Sequence, residues 1–263
     1  MSSRAKQVLA DLIGEQDALD DALAGLTPDE WETPTASARW SVADQIGHLA
    51  FFDEAAVLAI TDHEAFSDHV VELLAQFGDH LAVDHATLGS FRAMEHDQLL
   101  WSWRTNRQAL AHAASSLDDD DRVVWYGPSM GATSFLTARL MECWAHGRDA
   151  LDVLERELES TDRIQHIARL GFITRGWSYM NRELEPSETD IAVRLVAPSG
   201  NRWNFGNEEA AQSISGSAED FCLVTTQRSH VDNTELIVNG AAAREWMLIA
   251  QAFAGPPTDG PRA

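Results

Sequence analysis

The sequence has few cysteines and few basic residues, and both shortages exclude classes of function. Cys143 and Cys222 are the only cysteines among 263 residues, too few and too far apart for a disulfide framework, which favours a reducing, cytoplasmic location. The 19 lysines and arginines stand against 42 acidic residues, so the formal net charge is −23. Such a surface repels phosphate backbones and anionic membrane faces, so nucleic acid is not an expected partner.

Long apolar runs and an N-terminal secretory pattern are also missing. No apolar stretch approaches the roughly 18 residues that a membrane-spanning helix needs, and we therefore expect no membrane partner. The sequence nevertheless has 44% hydrophobic residues, including nine Trp and ten Phe. That is enough to fill one large core or two modest ones, and we expect a globular monomer or homodimer.

Helical spacing dominates the first 160 residues. Apolar side chains recur at three- and four-residue steps over residues 8–23, which predicts an amphipathic helix ended by Gly25 and Pro28. The same reasoning predicts a helix across Leu73, Leu74, Phe77 and Leu81, another over residues 94–117, and an ordered loop over 123–131 that Thr133 or Ser134 caps into a long helix ending near Glu159.

The pattern changes after Ser160. Residues 191–196 alternate between apolar and polar faces, and residues 201–205 offer a partner strand across the turn Pro198–Gly200, which predicts a β-hairpin. The other elements predicted in this half are a helix over residues 162–181, a strand over 236–238, a helix over 241–253 and a disordered tail over 255–263.

A candidate metal site combines two segments of the helical half. Glu142 and His146 are four residues apart, so a helix directs both side chains to one point. His48, on a helix predicted over residues 42–61, is the candidate third ligand. Taken alone, Glu142 and His146 also fit a surface ion pair, and His48 also fits a buried core histidine. Two histidines and one carboxylate would suit zinc, with iron, nickel or manganese as alternatives.

The residues around both ligand segments resemble a known family. Residues 40–49, WSVADQIGHL, resemble the W-[ST]-V-x-D-x-[VI]-x-H-L signature of DinB-like bundles, in particular the N-terminal domain of mycothiol-dependent maleylpyruvate isomerases. Residues 142–149, ECWAHGRD, are similar to the second motif, E-x-x-x-H-x-x-D. The resemblance implies a four-helix bundle that binds a divalent metal, usually zinc, through His48, Glu142 and His146, with a low-molecular-weight thiol such as mycothiol as cofactor or substrate.

The second half is similar, more loosely, to the sterol-carrier-like α+β domain that follows this bundle in the family. The resemblance thus implies a DinB-like four-helix bundle over residues 1–160 and a smaller sterol-carrier-like α+β domain over 161–254. An arginine of the second domain binds a substrate carboxylate in that family, a role that suits a planar guanidinium. Arg228 and Arg244 are the candidates here. The ending, residues 250–257, looks more like an actinobacterial branch of metal-binding proteins.

These features favour a metal-dependent enzyme that activates a thiolate or water against a small anionic substrate, as a thiol-dependent isomerase or transferase. The alternatives are a hydratase or lyase acting on an unsaturated acid or acyl thioester, and a non-catalytic small-ligand-binding protein with a structural metal. Asp44, one turn before His48, is a candidate orienting carboxylate or general base, although its position after Ser41 also fits a helix cap. Cys143, Trp101 and Trp144 are interpreted as packing residues, and the six histidines between His63 and His112 as surface residues.

Overall fold

The computed structural model describes residues 3–76, 78–127, 129–258 and 260. It divides the chain into two compact units, Met1–Leu158 and Glu159–Ala263. The first unit is helical apart from two short strands, and the second combines a four-stranded sheet with helices. The predicted fold class, a helical bundle followed by a smaller α+β region, is therefore confirmed. None of the helices among the described residues is long and apolar enough to cross a membrane.

Four long helices, α1, α3, α6 and α7, make up the bundle of the first unit, where α3 packs on α6 and α7, and α1 packs on α7. Three shorter helices and a two-stranded ribbon complete this unit. The elements are α1 (Arg4–Leu23), α2 (Pro28–Trp31), α3 (Val42–Thr61), α4 (His63–Leu74), α5 (His80–Arg92), α6 (His96–Ala114), β1 (Arg122–Val123), β2 (Met130–Gly131) and α7 (Ala132–Asp152).

Helix α3 begins at the predicted cap and has the predicted bounds. The Asp44 backbone N–H donates to the Ser41 hydroxyl at 3.3 Å, and the Ser41 N–H donates to the Asp44 carboxylate at 3.1 Å. Both halves of a capping box are thus present, which satisfies two backbone donors that the first turn would otherwise leave without partners. The cap sets where the helix starts, and so which face carries His48.

The helix predicted across residues 73–81 is wrong, because the structure has two helices there, α4 and α5. Gly78 adopts a φ of +106°, which an α-helix cannot accommodate. The Asp79 carboxylate then caps α5 by accepting the backbone N–H groups of Leu81 and Ala82. Phe77, part of the predicted helix, lies outside the described residues.

Helix α7 starts and ends differently from the prediction. Neither Thr133 nor Ser134 caps it. Gly131 occupies the cap position, and the Ala132 N–H donates to the Asp121 carbonyl at 2.9 Å, so the ribbon of β1 and β2 satisfies this donor. The helix stops at Asp152, before Glu155 takes a φ of +52°.

The second unit is built on a sheet with the strand order β4-β3-β5-β6. The predicted hairpin is confirmed, with Val196 opposite Arg202 and Val193 opposite Phe205 in an antiparallel ladder. Strand β3 also pairs in parallel with β5. The elements are α8 (Gln165–Ile173), α9 (Arg175–Met180), β3 (Ile191–Val196), β4 (Arg202–Phe205), β5 (Gln212–Ser217), α10 (Ala218–Thr225), β6 (Ile237–Asn239) and α11 (Ala241–Ile249).

Several predictions for the second unit need correction. The single helix predicted over 162–181 is a 3-10 turn, Asp162–Ile164, followed by α8 and α9, which are separated at Thr174. Strand β5 and helix α10 were not predicted, and α11 ends four residues before the predicted end at 253. Strand β5 is polar along most of its length and buries only Ile214, so its sequence lacks the apolar alternation that marks a strand. In the predicted disordered tail, the Asn181 amide donates to the Gly255 carbonyl at 3.0 Å. Residues 259 and 261–263 lie outside the described residues.

Candidate metal centre

The three predicted ligands converge in the first unit. His48 on α3 faces Glu142 and His146 on α7, and one ligand atom from each lies within 4.8 Å of the others. The distances from Glu142 Oε2 are 3.2 Å to His48 Nε2 and 3.0 Å to His146 Nε2. The side chains are 14%, 23% and 11% exposed for His48, Glu142 and His146. The cluster therefore lies just beneath the surface, where a small molecule can reach it.

The pKa shifts favour the protonation states that metal binding requires. Burial raises the pKa of Glu142, but hydrogen bonds with His146 and His48 outweigh burial and hold it well below its usual value. Burial lowers the pKa of His48 to about 4, and the adjacent His146 acts in the same direction. At neutral pH the site therefore presents an ionised carboxylate and a neutral imidazole, the forms that bind metals.

The donor set fits a borderline divalent cation. Two imidazole nitrogens and one carboxylate oxygen are the ligands of many open zinc sites. Within the described residues, no fourth His, Cys, Asp or Glu joins the group. Three protein ligands leave room for a thiol, water or substrate. Metal binding by these residues stays a prediction.

Gln45 contacts the ligand His146 and was not singled out from the sequence. The Gln45 side-chain oxygen lies 2.6 Å from His146 Nδ1, and the Gln45 amide nitrogen donates to the Thr35 hydroxyl at 2.8 Å. Gln45 precedes His48 by three residues, so both lie on one face of α3. This spacing was the one feature of the sequence that pointed to Gln45, and any residue at position 45 would have the same spacing.

Aromatic rings flank the cluster. The Trp40 ring lies 5.1 Å from the His48 ring and 6.0 Å from the His146 ring, between centroids. The Phe52 ring, one turn after His48, lies 4.6 Å from the His48 ring and 5.5 Å from the Tyr126 ring. These rings give the site apolar walls, which strengthen electrostatic interactions inside it.

A buried ion pair joins the same two helices one turn further along. Arg139 on α7 donates to Asp53 on α3 at 3.0 Å, and both side chains are almost fully buried. The Gln16 amide donates to the second Asp53 oxygen at 3.1 Å. Burial raises the pKa of Asp53, and the charge of Arg139 opposes that effect. No local pattern predicts this pair, since its partners are 86 residues apart.

Asp44 has two structural roles in the fold, of which the helix cap was predicted and the pairing with Arg92 was not. It caps α3, which confirms the helix-cap interpretation. It also accepts two hydrogen bonds from Arg92, at 2.7 Å and 3.0 Å, and is mostly buried. Because the carboxylate is already used by the cap and by Arg92, the structure favours a structural role. The role of general base stays a prediction.

The candidate arginines of the second unit each have a partner within that unit. Arg228 donates to the Thr226 carbonyl at 2.8 Å. Arg244 forms an ion pair with Asp232 at 2.5 Å. Substrate binding by either arginine stays a prediction.

Three interpretations of single residues are settled by burial and contacts. Cys143 and Trp144 are buried, as expected for packing residues, whereas Trp101 is 68% exposed and its packing interpretation is wrong. Among the histidines interpreted as surface residues, His96 is half-buried and stacks on the Trp31 ring, and His69 also departs from that description. It is half-buried, and its Nε2 lies 2.6 Å from the Tyr126 hydroxyl.

Comparison with known proteins gives three kinds of match. The model of the mycothiol maleylpyruvate isomerase N-terminal domain matches residues 13–151. An uncharacterised protein of Mycobacterium tuberculosis, from strains CDC 1551 / Oshkosh and ATCC 25618 / H37Rv, is 40% identical over 255 residues, which cover 96% of this chain and 97% of that protein. Crystal structures of the mycothiol-dependent maleylpyruvate isomerase and of a histidine-to-alanine mutant superpose with a TM-score of 0.57 at 15% and 16% identity, covering 90% of this chain and 95% of theirs. At that identity the superposition shows a shared fold.

Proposed function

Because this chain belongs to the mycothiol maleylpyruvate isomerase N-terminal domain family, we propose that it is a metal-dependent isomerase or transferase that uses a low-molecular-weight thiol such as mycothiol. The observation that carries the proposal is the convergence of His48, Glu142 and His146 at an accessible point of the bundle. Both family motifs contribute to that point, one from α3 and the other from α7.

The ligand atoms that would hold the cation are His48 Nε2, Glu142 Oε2 and His146 Nε2. Zinc is the expected ion, and the same donors accept nickel, iron or manganese. When bound, such a cation supplies a Lewis acid that lowers the pKa of a thiol or water. The ionised Glu142 contributes the negative charge of the donor set, and the neutral His48 contributes a nitrogen lone pair.

We propose roles for two further sets of residues. The Trp40 and Phe52 rings pack against the His48 ring, with centroids 5.1 Å and 4.6 Å away, and give the site an apolar wall. In our proposal, a guanidinium from Arg228 or Arg244 recognises a carboxylate of the substrate, in the bidentate manner typical of arginine. By the names of its structural relatives, maleylpyruvate is the first candidate substrate.

An enzyme is favoured over a protein with a purely structural metal. A structural zinc site is closed by four protein ligands, whereas a catalytic site keeps a position for water or substrate. In our proposal three residues bind the metal, and no fourth His, Cys, Asp or Glu joins them among the described residues, so such a position stays open.

The test is metal content by elemental analysis of the wild-type protein after incubation with zinc and desalting, beside H48A, E142Q and H146A. H112A is the matched control, since it removes an exposed histidine of α6. We expect about one zinc per chain in the wild type and in H112A, and a loss in the other three variants. Metal-free wild-type protein would contradict the proposal.

Thiol binding separates the enzyme from its alternatives. Titration of the zinc-loaded and metal-free proteins with mycothiol should give binding to the loaded protein only, and addition of maleylpyruvate should then give thiol-dependent isomerisation. Zinc binding without thiol binding would favour a hydratase, a lyase or a non-catalytic binding protein instead.

A further inference from the structure

We infer that Gln45 is a positioning residue for the metal centre, which holds His146 in the tautomer whose Nε2 is free to bind a cation. The inference rests on the proposed function, because it concerns the same centre. It adds a residue that neither the spacing of the ligands nor the comparisons assign. Three consecutive hydrogen bonds fix the orientation of the Gln45 amide.

Three hydrogen bonds connect the His146 imidazole to the backbone carbonyl of Trp40. The Thr35 hydroxyl lies 3.0 Å from the Trp40 carbonyl, the Gln45 amide nitrogen lies 2.8 Å from the Thr35 hydroxyl, and His146 Nδ1 lies 2.6 Å from the Gln45 side-chain oxygen. Gln45 is fully buried, so water does not compete for its amide.

In each group, the hydrogen bond on one side determines which atom donates or accepts on the other side. In the structure the Thr35 hydroxyl donates its single proton to the Trp40 carbonyl, and in that orientation it accepts from the Gln45 amide nitrogen. The NH2 group of Gln45 therefore faces Thr35, and its oxygen faces His146. That oxygen also only accepts, so His146 carries its proton on Nδ1. A neutral imidazole with its proton on Nδ1 has a lone pair on Nε2.

The lone pair points at the proposed centre. His146 Nε2 lies 3.0 Å from Glu142 Oε2, within hydrogen-bond distance, so the metal-free site needs a proton between these two atoms, and a bound cation would take the place of that proton. Two acceptors at this distance repel each other unless a cation or a proton lies close to both. Gln45 thereby favours cation binding through an atom on the far side of the ring, the usual arrangement behind a histidine ligand.

The other group near Nδ1 is Asp149, the acidic residue of the second motif. Its Oδ2 lies 3.8 Å from His146 Nδ1, which is too long for a hydrogen bond. Gln45, and not Asp149, is therefore the hydrogen-bond acceptor at His146 Nδ1. An amide adds no charge to the centre, so the charge of a bound cation is less neutralised than it would be by a carboxylate partner.

Three variants test the inference. Q45L removes the acceptor and keeps much of the volume. Q45E keeps an acceptor toward His146, and its second oxygen can accept the Thr35 hydroxyl, which only has to rotate. Q16L is the matched control, because it replaces another buried glutamine of the bundle, one whose amide bonds to Asp53 instead of a ligand imidazole. Thermal melts followed by circular dichroism check that each variant folds.

The measurements are zinc affinity by competition with a chromogenic chelator and the 15N shifts of the histidine rings in metal-free protein, with His146 assigned through H146A. We expect Q45L to lose roughly 10- to 100-fold in zinc affinity, the range found when such outer partners are removed, and to shift proton occupancy from Nδ1 to Nε2. Q45E should restore the Nδ1 proton and bring the zinc affinity to within a few-fold of wild type or tighter, and Q16L should change neither quantity.

Two results would overturn the inference: a Q45L protein that binds zinc as tightly as wild type, or a wild-type His146 that carries no proton on Nδ1. If Q45L fails to fold, T35V replaces it. That variant removes the hydroxyl that orients the amide and should give a smaller change in the same direction. A wild-type protein that binds no zinc but has the Nδ1 proton would contradict the proposed function and leave the tautomer assignment standing, so the two failures can be told apart.

Discussion

At the scale of single residues, burial favours the neutral form of two histidines. Burial lowers the pKa of both His48 and His69, the first beside the ligands and the second beside Tyr126. At His69 the neutral ring can accept the Tyr126 hydroxyl proton, whereas a doubly protonated ring cannot. The pKa of Tyr126 is itself raised by burial, so the phenol keeps that proton. The two shifts therefore favour the same hydrogen bond.

The pKa of His69 predicts a pH dependence of stability. Because its folded-state pKa lies below the ordinary value of 6.5, the unfolded chain takes up a proton first as the pH falls. The stability contributed by neutral His69 is complete above pH 6.5 and is lost progressively below it. In H69Q, whose amide still accepts from Tyr126 but does not titrate in this range, that component should disappear. Urea unfolding of both proteins from pH 7.5 to 5 measures it, and parallel curves would contradict the prediction.

At the scale of elements, two buried polar links join α3 to α7 on either side of the candidate ligands. Gln45 bonds to His146, and Asp53 pairs with Arg139. Counted along α3, these links come three residues before and five residues after His48. Sliding one helix along the other would break both links, so they fix the register that brings the ligands together.

Removing one partner of the ion pair between Asp53 and Arg139 should lower the free energy of unfolding more than replacing both partners. D53L leaves a buried guanidinium without its partner, and R139M leaves a buried carboxylate, so we expect each variant to lose about 3–5 kcal/mol of unfolding free energy. The double variant D53L/R139M removes both charges and should lose less than either single variant. Urea titration of the four proteins measures this cycle. Additive losses would show that the two side chains do not stabilise each other.

Elements with strong local signals could be predicted from the sequence, and elements defined by long-range contacts could not. The start of helix α3 could be predicted because Ser41 and Asp44 cap its N-terminus locally. Strand β5 was missed because it is placed by pairing with β3 and β6 and not by apolar alternation. The break between α4 and α5 was also missed, since it depends on the positive φ of Gly78.

Some residues of the candidate site could likewise be predicted from the sequence, and others could not. His48, Glu142 and His146 could be proposed because two of them share a helix face and all three fall in motifs that resemble a known family. Gln45 and Arg139 could not, because their roles depend on partners about 100 residues away in the chain. Residue types that can bind a metal are visible in the sequence. The residues that orient them can be identified only when the packing of the helices is known.

At the scale of the whole molecule, the three ligand residues belong to the first unit alone. A cation that binds the folded site and not the unfolded chain stabilises the fold by about 2.7 kcal/mol when its free concentration is 100 times its Kd. That stabilisation should appear where the ligands are anchored. Amides of α3 and α7 should therefore gain protection against hydrogen exchange when zinc is added, while those of β3 to β6 should gain little.

Hydrogen exchange followed by mass spectrometry on the full chain tests this expectation, with H146A as the variant in which zinc should protect neither unit. Equal protection of the sheet would contradict a centre supplied by the first unit and would point to a ligand from the second. The same measurement examines the arginines. If Arg228 or Arg244 binds a substrate carboxylate, adding maleylpyruvate and thiol to the zinc-loaded protein should protect the backbone around α10 or α11. The substitution of that arginine by leucine should abolish this added protection without changing the zinc-dependent protection of α3 and α7.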